Sequence, residues 1–409
     1  MKRARPTPPV ALPAADARRL LMAGLGLDCP PTQPEPAAGC ARLKRLIRDL
    51  GFVQVDTINV LDRAHDLIIW TRLPTYDRAW LTALLEHDRA LFEHWTHDAS
   101  LIPVEFFPYW RHRFAAHAPN RWFLDRMGPQ WERTRELVLA RIRAEGPLMS
   151  RDFEHGRPRG ENGAWWGWKP QKAALEHLWR RGDLMIAGRR NFQKVYDLTE
   201  RVIPARHLQE QTPDRAALVD WACRSALTRL AFASPSEIGA FWRTVKLPEA
   251  RAWCKEAAKR GEVEQVLLAD ASPGLPPRKV YAFSNWKRRL QRVAVDDTAL
   301  RLLCPFDPLV RDRARLQRLF AFDYRFEAFT PGSQRKYGYY VMPILAGDRI
   351  VGRFDPKLHR TRTGDCVLEI KGLWWEKNTR PTRALRSRFQ ASAEELARFV
   401  GARRVEFSS

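Results

Sequence analysis

The chain has 409 residues, of which 45% are hydrophobic, and it carries a formal net charge of +23. This length predicts two to four domains, and the apolar content excludes a chain that is disordered throughout. The basic excess favours a polyanionic partner, with nucleic acid first and a membrane surface second, over a protein that is merely rich in arginine.

The cysteine pattern argues against a metal ribbon, an iron–sulfur cluster and a disulfide scaffold, because no two cysteines form a C-x-x-C pair. We therefore expect a reducing, cytoplasmic setting. The N-terminal apolar run is broken by Pro13, Asp16 and Arg18, which makes it a poor signal peptide. No run of about 18 apolar residues occurs, so we expect no spanning helix. The six cysteines are Cys29, Cys40, Cys223, Cys254, Cys304 and Cys366.

The first part of the chain alternates helical periodicity with one short extended segment. Gly51 is placed to end the second helix as a residue in the left-handed region. A wing strand over residues 67–73 is the alternative for the third helix. The predicted elements are helices over residues 15–27, 41–50, 60–72 and 81–97, and a strand over residues 52–57.

Two later segments follow one order, in which three helices precede a β-hairpin, as in a winged helix-turn-helix. The first such segment ends in an alternating hairpin over residues 184–198, and the second in a wing made of residues 264–268 and 279–283. The beginning of the chain fits the same order less closely. The helices predicted for the two segments cover residues 132–145, a short helix from 150, 169–181, 214–231, a helix opened by residues 234–237, and 248–260.

The sequence thus predicts an α+β fold of tandem winged helix-turn-helix units, followed by a small β-rich C-terminal domain. In that last region, three antiparallel strands are expected over residues 339–345, 349–354 and 367–375, with a closing helix over residues 391–400. The predicted domains are residues 1–125, carrying the first unit and a helical extension, 126–208, 209–298 and 299–409.

The extended segment at residues 52–57 places two polar side chains among apolar ones. Successive side chains of a strand point to opposite faces, so Val53 and Val55 are expected in the core while Gln54 and Asp56 share the other face. A carboxylate beside an amide is suited to hold one water molecule. The alternative is that Asp56 caps the next helix at its N-terminus.

A histidine-rich segment follows, in which His94 and His97 are three residues apart on the predicted helix over residues 81–97. A metal site is one interpretation. However, the zinc protease pattern H-E-x-x-H needs a glutamate between its histidines, and Glu93 precedes His94 here. We therefore predict no metal, and expect histidines satisfied by hydrogen bonds in an aromatic core.

Four motifs that occur in a fixed order are together specific enough to indicate a protein family. They are Gln-Val-Asp-Thr-Ile-Asn-Val at residues 54–60 with Arg-Ala-His at 63–65, Phe-Glu-His-Trp-Thr-His-Asp-Ala-Ser at 92–100, Pro-Phe-Asp-Pro-Leu-Val at 305–310, and Gly-Arg-Phe-Asp-Pro-Lys at 352–357. This set resembles the YcaQ (AlkX) branch of the AlkZ-like winged-helix DNA glycosylases, which act in interstrand-crosslink repair.

The resemblance implies tandem winged helices in a C-shaped arrangement around duplex DNA. It also implies hydrolysis of the N-glycosidic bond of bulky N7-alkylguanines and unhooking of interstrand crosslinks. The family's catalytic Gln-Φ-Asp motif falls on Gln54 and Asp56, so Asp56 would orient or activate water with the help of Gln54. No Schiff-base lysine, metal or cofactor is needed, so we predict a monofunctional hydrolase.

A tethered guanine is difficult to extrude from a crosslinked duplex, so we expect an open channel instead of a closed base pocket. The predicted DNA contacts in the first hairpin are Arg189, Arg190 and Lys194, with a solvated hairpin tip as the alternative. We expect a monomer in the cytoplasm, on the nucleoid, with no membrane partner. The competing class is a non-catalytic winged-helix regulator or architectural DNA-binding protein.

Overall fold

The structure, a computed structural model, describes residues 10–28, 38–119, 124–125, 128–153, 170–271, 276–360 and 365–408. It combines helices and sheets, so the expected α+β class is confirmed. The chain forms two compact units. Unit 1 comprises Met1–Ala38, Val53–Tyr76 and Val219–Ser409, and unit 2 comprises Gly39–Phe52 and Asp77–Leu218. Within the described residues, no helix is both long enough and apolar enough to cross a bilayer.

The first sheet of unit 1 is built on the hairpin of Val263–Leu268 and Arg278–Phe283. Val10–Leu12 adds a parallel strand at one edge and Phe232–Ala233 an antiparallel strand at the other. The prediction missed both edge strands, because runs this short carry no readable alternation. Helices of this region are Ala14–Gly24, Pro235–Trp242, Leu247–Lys259, Trp286–Leu290 and, from Val219 onward, Arg215–Leu230.

The predicted helix start near residue 234 is confirmed, and its cause is local. The Ser234 hydroxyl accepts from the Glu237 backbone N–H at 3.3 Å, while the Glu237 carboxylate accepts from the Ser234 N–H at 2.7 Å. This reciprocal capping box satisfies two backbone donors that the first helical turn leaves open.

The C-terminal sheet of unit 1 has five strands, and the three predicted ones form its centre. The closing helix starts earlier than predicted, because Thr382 caps it through its hydroxyl. The Phe354 ring packs edge-on against Phe389 of that helix. In sheet order the strands are Leu300–Leu302, Met342–Ala346, Arg349–Arg360, Cys366–Trp375 and Arg404–Phe407. The helices are Ala64–Trp70, Pro308–Arg311, Arg313–Phe320 and Arg383–Phe399.

Unit 2 has one core in which Trp179 is fully buried among the apolar faces of two helices and a hairpin. Of the apolar positions that predicted the first of these helices, Ile142 lies in this core, whereas Leu137 and Ala140 are exposed. The elements of unit 2 are the helices Gly39–Leu50, Arg78–Thr82 with the π-turn Ala83–His87, Phe107–Ala116, Trp131–Glu145, Pro170–Arg181, Thr199–Val202 and Ala205–Gln209, the 3₁₀ turns Val104–Phe106 and Ser150–Phe153, and the strands Leu91–Trp95, Ala99–Pro103, Leu148–Met149, Leu184–Arg190 and Gln193–Leu198.

The predicted helix over residues 81–97 is wrong in its second half. Leu91–Trp95 and Ala99–Pro103 form an antiparallel hairpin, and the turn between them is closed by the Thr96 N–H donating to the Asp98 carbonyl. Aromatic residues favour strands, and burial on both faces of the first strand hid its alternation. His94 and His97 therefore do not lie on a helix.

His94 lies in an aromatic core, against the rings of Phe114 and Trp179, but only its Nε2 has the expected hydrogen bond to a described residue. The ring is 2% exposed, and its Nε2 lies 3.0 Å from the carbonyl oxygen of Trp179. Burial lowers the pKa of His94 to about 3. Within the described residues, no group of three or more histidine, cysteine and acidic side chains is placed to hold a metal ion.

We predict that this histidine makes the protein acid-sensitive. Its pKa is about 3 when folded and about 6.5 when unfolded. Below pH 6.5 the His94 side chain binds a proton in the unfolded chain but not in the folded chain. The free energy of unfolding therefore falls as the pH falls. We expect the free energy of unfolding to decrease by about 2 kcal/mol more between pH 7 and 5 in the wild type than in His94→Gln. Denaturant titrations at several pH values measure this, and parallel pH profiles would contradict it.

Candidate active site

The structure brings the two predicted site residues together. Val53 and Val55 are buried, and the Gln54 amide Nε2 donates to Asp56 Oδ2 at 3.4 Å. Gln54 is 7% exposed, whereas Asp56 is half-buried and reaches solvent. The regular strand is limited to Val53–Gln54, which is shorter than the predicted segment.

The Asp56 carboxylate is held at both oxygens. Oδ1 accepts from the Ile58 backbone N–H at 2.8 Å, and Oδ2 accepts from Gln54. Each carboxylate oxygen has two lone pairs, so both can still accept a hydrogen bond from a water or a sugar hydroxyl. The arrangement is that of an oriented, solvent-accessible base.

Asp56 does not cap the following helix, so the capping alternative is wrong. That helix, Ala64–Trp70, has Arg63 at its N-cap position and no side-chain cap. Asp56 instead closes a turn onto Ile58, and the Arg63 guanidinium donates to the Thr57 carbonyl at 2.5 Å. These bonds shape the loop that carries the carboxylate.

The third motif, at residues 305–310, supplies Asp307 to a buried ion pair with Arg72, here called the clamp. The fully buried Asp307 accepts two bonds from the Arg72 guanidinium, at 2.7 and 3.1 Å, and one from the Leu309 N–H. Arg72 follows the Ala64–Trp70 helix and also donates to the Leu25 and Ile68 carbonyls. The clamp therefore joins the segment after Asp56 to the start of the C-terminal sheet.

The fourth motif, at residues 352–357, positions the chain at Gly338–Tyr340. Asp355 Oδ1 accepts from the Tyr340 N–H at 3.1 Å. A Cβ at Gly338 would lie 2.1 Å from Asp355 Oδ2, and its φ of +147° also requires glycine. Arg353 pairs with Glu376 at 2.8 Å and stacks on the Tyr337 ring at 4.3 Å.

Tyr340 is the residue near Asp56 that sequence reasoning missed. Its ring is fully buried, and its hydroxyl has no hydrogen-bond partner within the part of the chain that the structure describes. Burial raises its pKa well above the usual value, and the negative charge of Asp56 adds to the shift. Tyr340 therefore lies within electrostatic range of Asp56. Nothing in the sequence around a tyrosine that precedes a strand indicates that it lies within electrostatic range of Asp56.

The second motif, at residues 92–100, supports the hairpin of Leu184–Arg190 and Gln193–Leu198 in unit 2. Glu93 is fully buried and pairs with Arg189 at 2.7 Å. The Trp179 indole N–H donates to the Glu93 carbonyl at 3.0 Å. The motif is therefore part of the framework of unit 2.

The three predicted DNA-contacting side chains of this hairpin are all in ion pairs. Arg189 pairs with Glu93, and Lys194 pairs with Glu176 at 2.7 Å while its ammonium lies 3.8 Å from the Trp179 ring centre. Arg190, whose side chain is 59% exposed, pairs with Glu86. The pairs orient these cations within unit 2, and DNA contact by them stays a prediction.

We predict that Arg189 and Arg190 differ when each is changed to alanine. Arg189→Ala leaves the Glu93 carboxylate buried without its partner and should lower the free energy of unfolding by about 2–3 kcal/mol. Arg190→Ala breaks an exposed pair and should cost less than about 1 kcal/mol. Denaturant titration of the two variants measures the difference. If both instead lower DNA affinity equally without changing stability, the framework role of Arg189 is wrong.

The chain is similar to known proteins over most of its length. The family model of the AlkZ-like DNA glycosylases matches residues 47–399. The structure is similar to that of the DNA glycosylase AlkZ of Streptomyces sahachiroi, with a TM-score of 0.60 and 16% sequence identity, over 98% of this chain and 100% of that one. At this identity the structural likeness concerns the fold. The family match favours a glycosylase over the non-catalytic regulator that the sequence left as the alternative. The chain therefore belongs to the AlkZ-like family, and it is a DNA glycosylase.

Proposed function

We propose that this glycosylase hydrolyses the N-glycosidic bond of bulky N7-alkylguanines and unhooks interstrand crosslinks formed through such guanines. The observation that supports this most is the hydrogen-bonded pair of Gln54 and the solvent-reaching Asp56, in the first of the four motifs. The excess positive charge, +23 over the whole chain, suits a duplex partner.

The chemistry needs few protein groups. Alkylation at N7 makes the guanine cationic, so the base leaves with the electrons of the bond between C1′ and N9 without prior protonation. The sugar then develops oxocarbenium-like charge, which the Asp56 carboxylate stabilises. A water held by Asp56 and Gln54 attacks C1′ and gives its proton to Asp56, which returns it to solvent. The products are the free alkylated base and an abasic site.

Two segments carry elements that support the winged-helix part of the proposal. Residues 131–198 and 215–283 each end in a β-hairpin after helices that include Trp131–Glu145 and Arg215–Leu230 respectively. Winged helices bind duplex DNA through a helix in a groove and a wing on the backbone. The four domains over residues 1–125, 126–208, 209–298 and 299–409, and a monomeric state, stay predictions.

An abasic-site assay tests the function. The pure protein is incubated with three duplexes: one with a single bulky N7-alkylguanine, one with an N7-guanine interstrand crosslink, and one undamaged. Hot alkali then converts abasic sites into strand breaks for a denaturing gel. We expect breaks at the damaged guanine, and separable strands from the crosslinked duplex. Breaks no more frequent than in the same damaged duplex treated without protein would contradict the proposed substrate.

A further inference from the structure

The segment of residues 321–341, here called the aromatic loop, exposes aromatic and basic side chains that the glycosylase reaction does not use. Phe329 is 86% exposed, the highest value among the large hydrophobic side chains that the structure describes as exposed. Tyr339, in the same loop, is 40% exposed. Surface residues of this kind cost free energy in water, and clusters of them mark contact sites.

The aromatic loop is held in shape by its own hydrogen bonds. The buried Glu327 carboxylate accepts from the backbone N–H groups of Lys336, Tyr337 and Gly338, at 2.9 to 3.3 Å. The Arg335 guanidinium donates to the Thr330 carbonyl at 2.9 Å. Phe329 therefore projects from an ordered support, which lowers the entropy lost on binding.

The charges of the aromatic loop suit a polyanion. It carries three cations, Arg325, Arg335 and Lys336, against Asp323 and Glu327. Glu327 is 6% exposed and engaged by backbone donors, whereas Arg325 and Lys336 are exposed. Arg335 lies 4.9 Å from the ring centre of Tyr339, which places a cation beside a second exposed aromatic ring.

The aromatic loop also leads to the candidate active site. The Phe329 ring contacts Phe326 at 6.3 Å between ring centres, and Phe326 contacts Tyr340 at 5.9 Å. Tyr340 is the buried residue within electrostatic range of Asp56. Two ring contacts therefore separate the exposed Phe329 from Tyr340, the tyrosine on which the charge of Asp56 acts, and all four residues belong to unit 1.

We propose that Phe329 is a wedge that enters the DNA duplex beside the damaged nucleotide, while Arg335 and Lys336 contact the neighbouring phosphates. This inference rests on the proposed function. Apolar side chains inserted at a base step unstack and kink a duplex. A wedge of this kind opens the sugar of a crosslinked guanine to Asp56 without extruding the tethered base.

The test uses a duplex with 2-aminopurine next to the N7-alkylguanine, because this base fluoresces more strongly when it is unstacked. Wild-type protein at saturation should raise the fluorescence, and Phe329→Ala should abolish the rise and slow single-turnover base release roughly 10- to 100-fold. Phe329→Leu should retain part of both effects. The matched control is Leu137→Ala, since Leu137 is 60% exposed on a helix of unit 2.

The outcomes separate the two proposals. No fluorescence rise with wild-type protein, or an equal rise and equal release rate with Phe329→Ala, overturns the wedge. A rise that depends on Phe329, without release of any base by the wild type, supports the wedge and rejects the proposed substrate. Circular dichroism of each variant confirms that it is folded, as expected for a change at so exposed a position.

Discussion

Asp56→Asn is expected to slow the single-turnover release of an N7-alkylguanine by about 10²–10⁴-fold, the range typical of removing a general base. Asparagine has nearly the same shape, and its carbonyl oxygen can still accept from the Ile58 N–H. The variant should therefore fold and bind DNA normally. It lacks the negative charge that stabilises the oxocarbenium-like sugar and the basicity that takes up the proton of water.

The matched control for this experiment is Asp62→Asn. Asp62 lies in the same loop, is also half-buried, and accepts from the Arg63 N–H at 2.8 Å, but it is not part of the Gln-Val-Asp motif. We expect its release rate to stay within about two-fold of the wild type, since the asparagine carbonyl oxygen can still accept from the Arg63 N–H and the change removes no group of the proposed catalytic pair. Wild-type rates from Asp56→Asn, or equal losses from both variants, would remove Asp56 from the mechanism.

Asp307→Ala is expected to lower the free energy of unfolding by about 3–5 kcal/mol, the range for removing one partner of a buried ion pair. The Arg72 side chain is 1% exposed and that of Asp307 is 0% exposed. In the variant, the Arg72 guanidinium keeps only its carbonyl partners, and the hydrogen bond from the Leu309 N–H is lost. Denaturant unfolding, followed by tryptophan fluorescence, measures the change.

Two controls define the origin of this loss. Glu256→Gln breaks the exposed pair with Lys259 and should leave the unfolding midpoint unchanged. The double variant Arg72→Met, Asp307→Leu replaces the whole ion pair by apolar groups and should recover much of the stability, because no buried charge is then left alone. A double variant as unstable as the single one would show that the carbonyl and N-cap bonds matter more than the pair.

The sequence by itself was sufficient for whatever depends on near neighbours. The 3.6-residue periodicity located helices such as Gly39–Leu50 and Trp131–Glu145, and Ser234 with Glu237 predicted a helix start. The separation of two residues allows Gln54 and Asp56 to form a hydrogen bond, although the regular strand ends at Gln54. These features involve residues a few positions apart, whose geometry the backbone conformation determines.

The tertiary structure decided whatever depends on burial and on partners far along the chain. Leu91–Trp95 became a strand because its side chains are covered on both faces, which removes the alternation that local reasoning needs. Arg189 has the form of an exposed wing residue in the sequence, yet its guanidinium is committed to Glu93. Arg72 and Asp307 are 235 positions apart, so only folding shows that they form a pair. The buried hydroxyl of Tyr340 and the exposed ring of Phe329 are equally invisible in the sequence, because solvent exposure is a property of the packed chain.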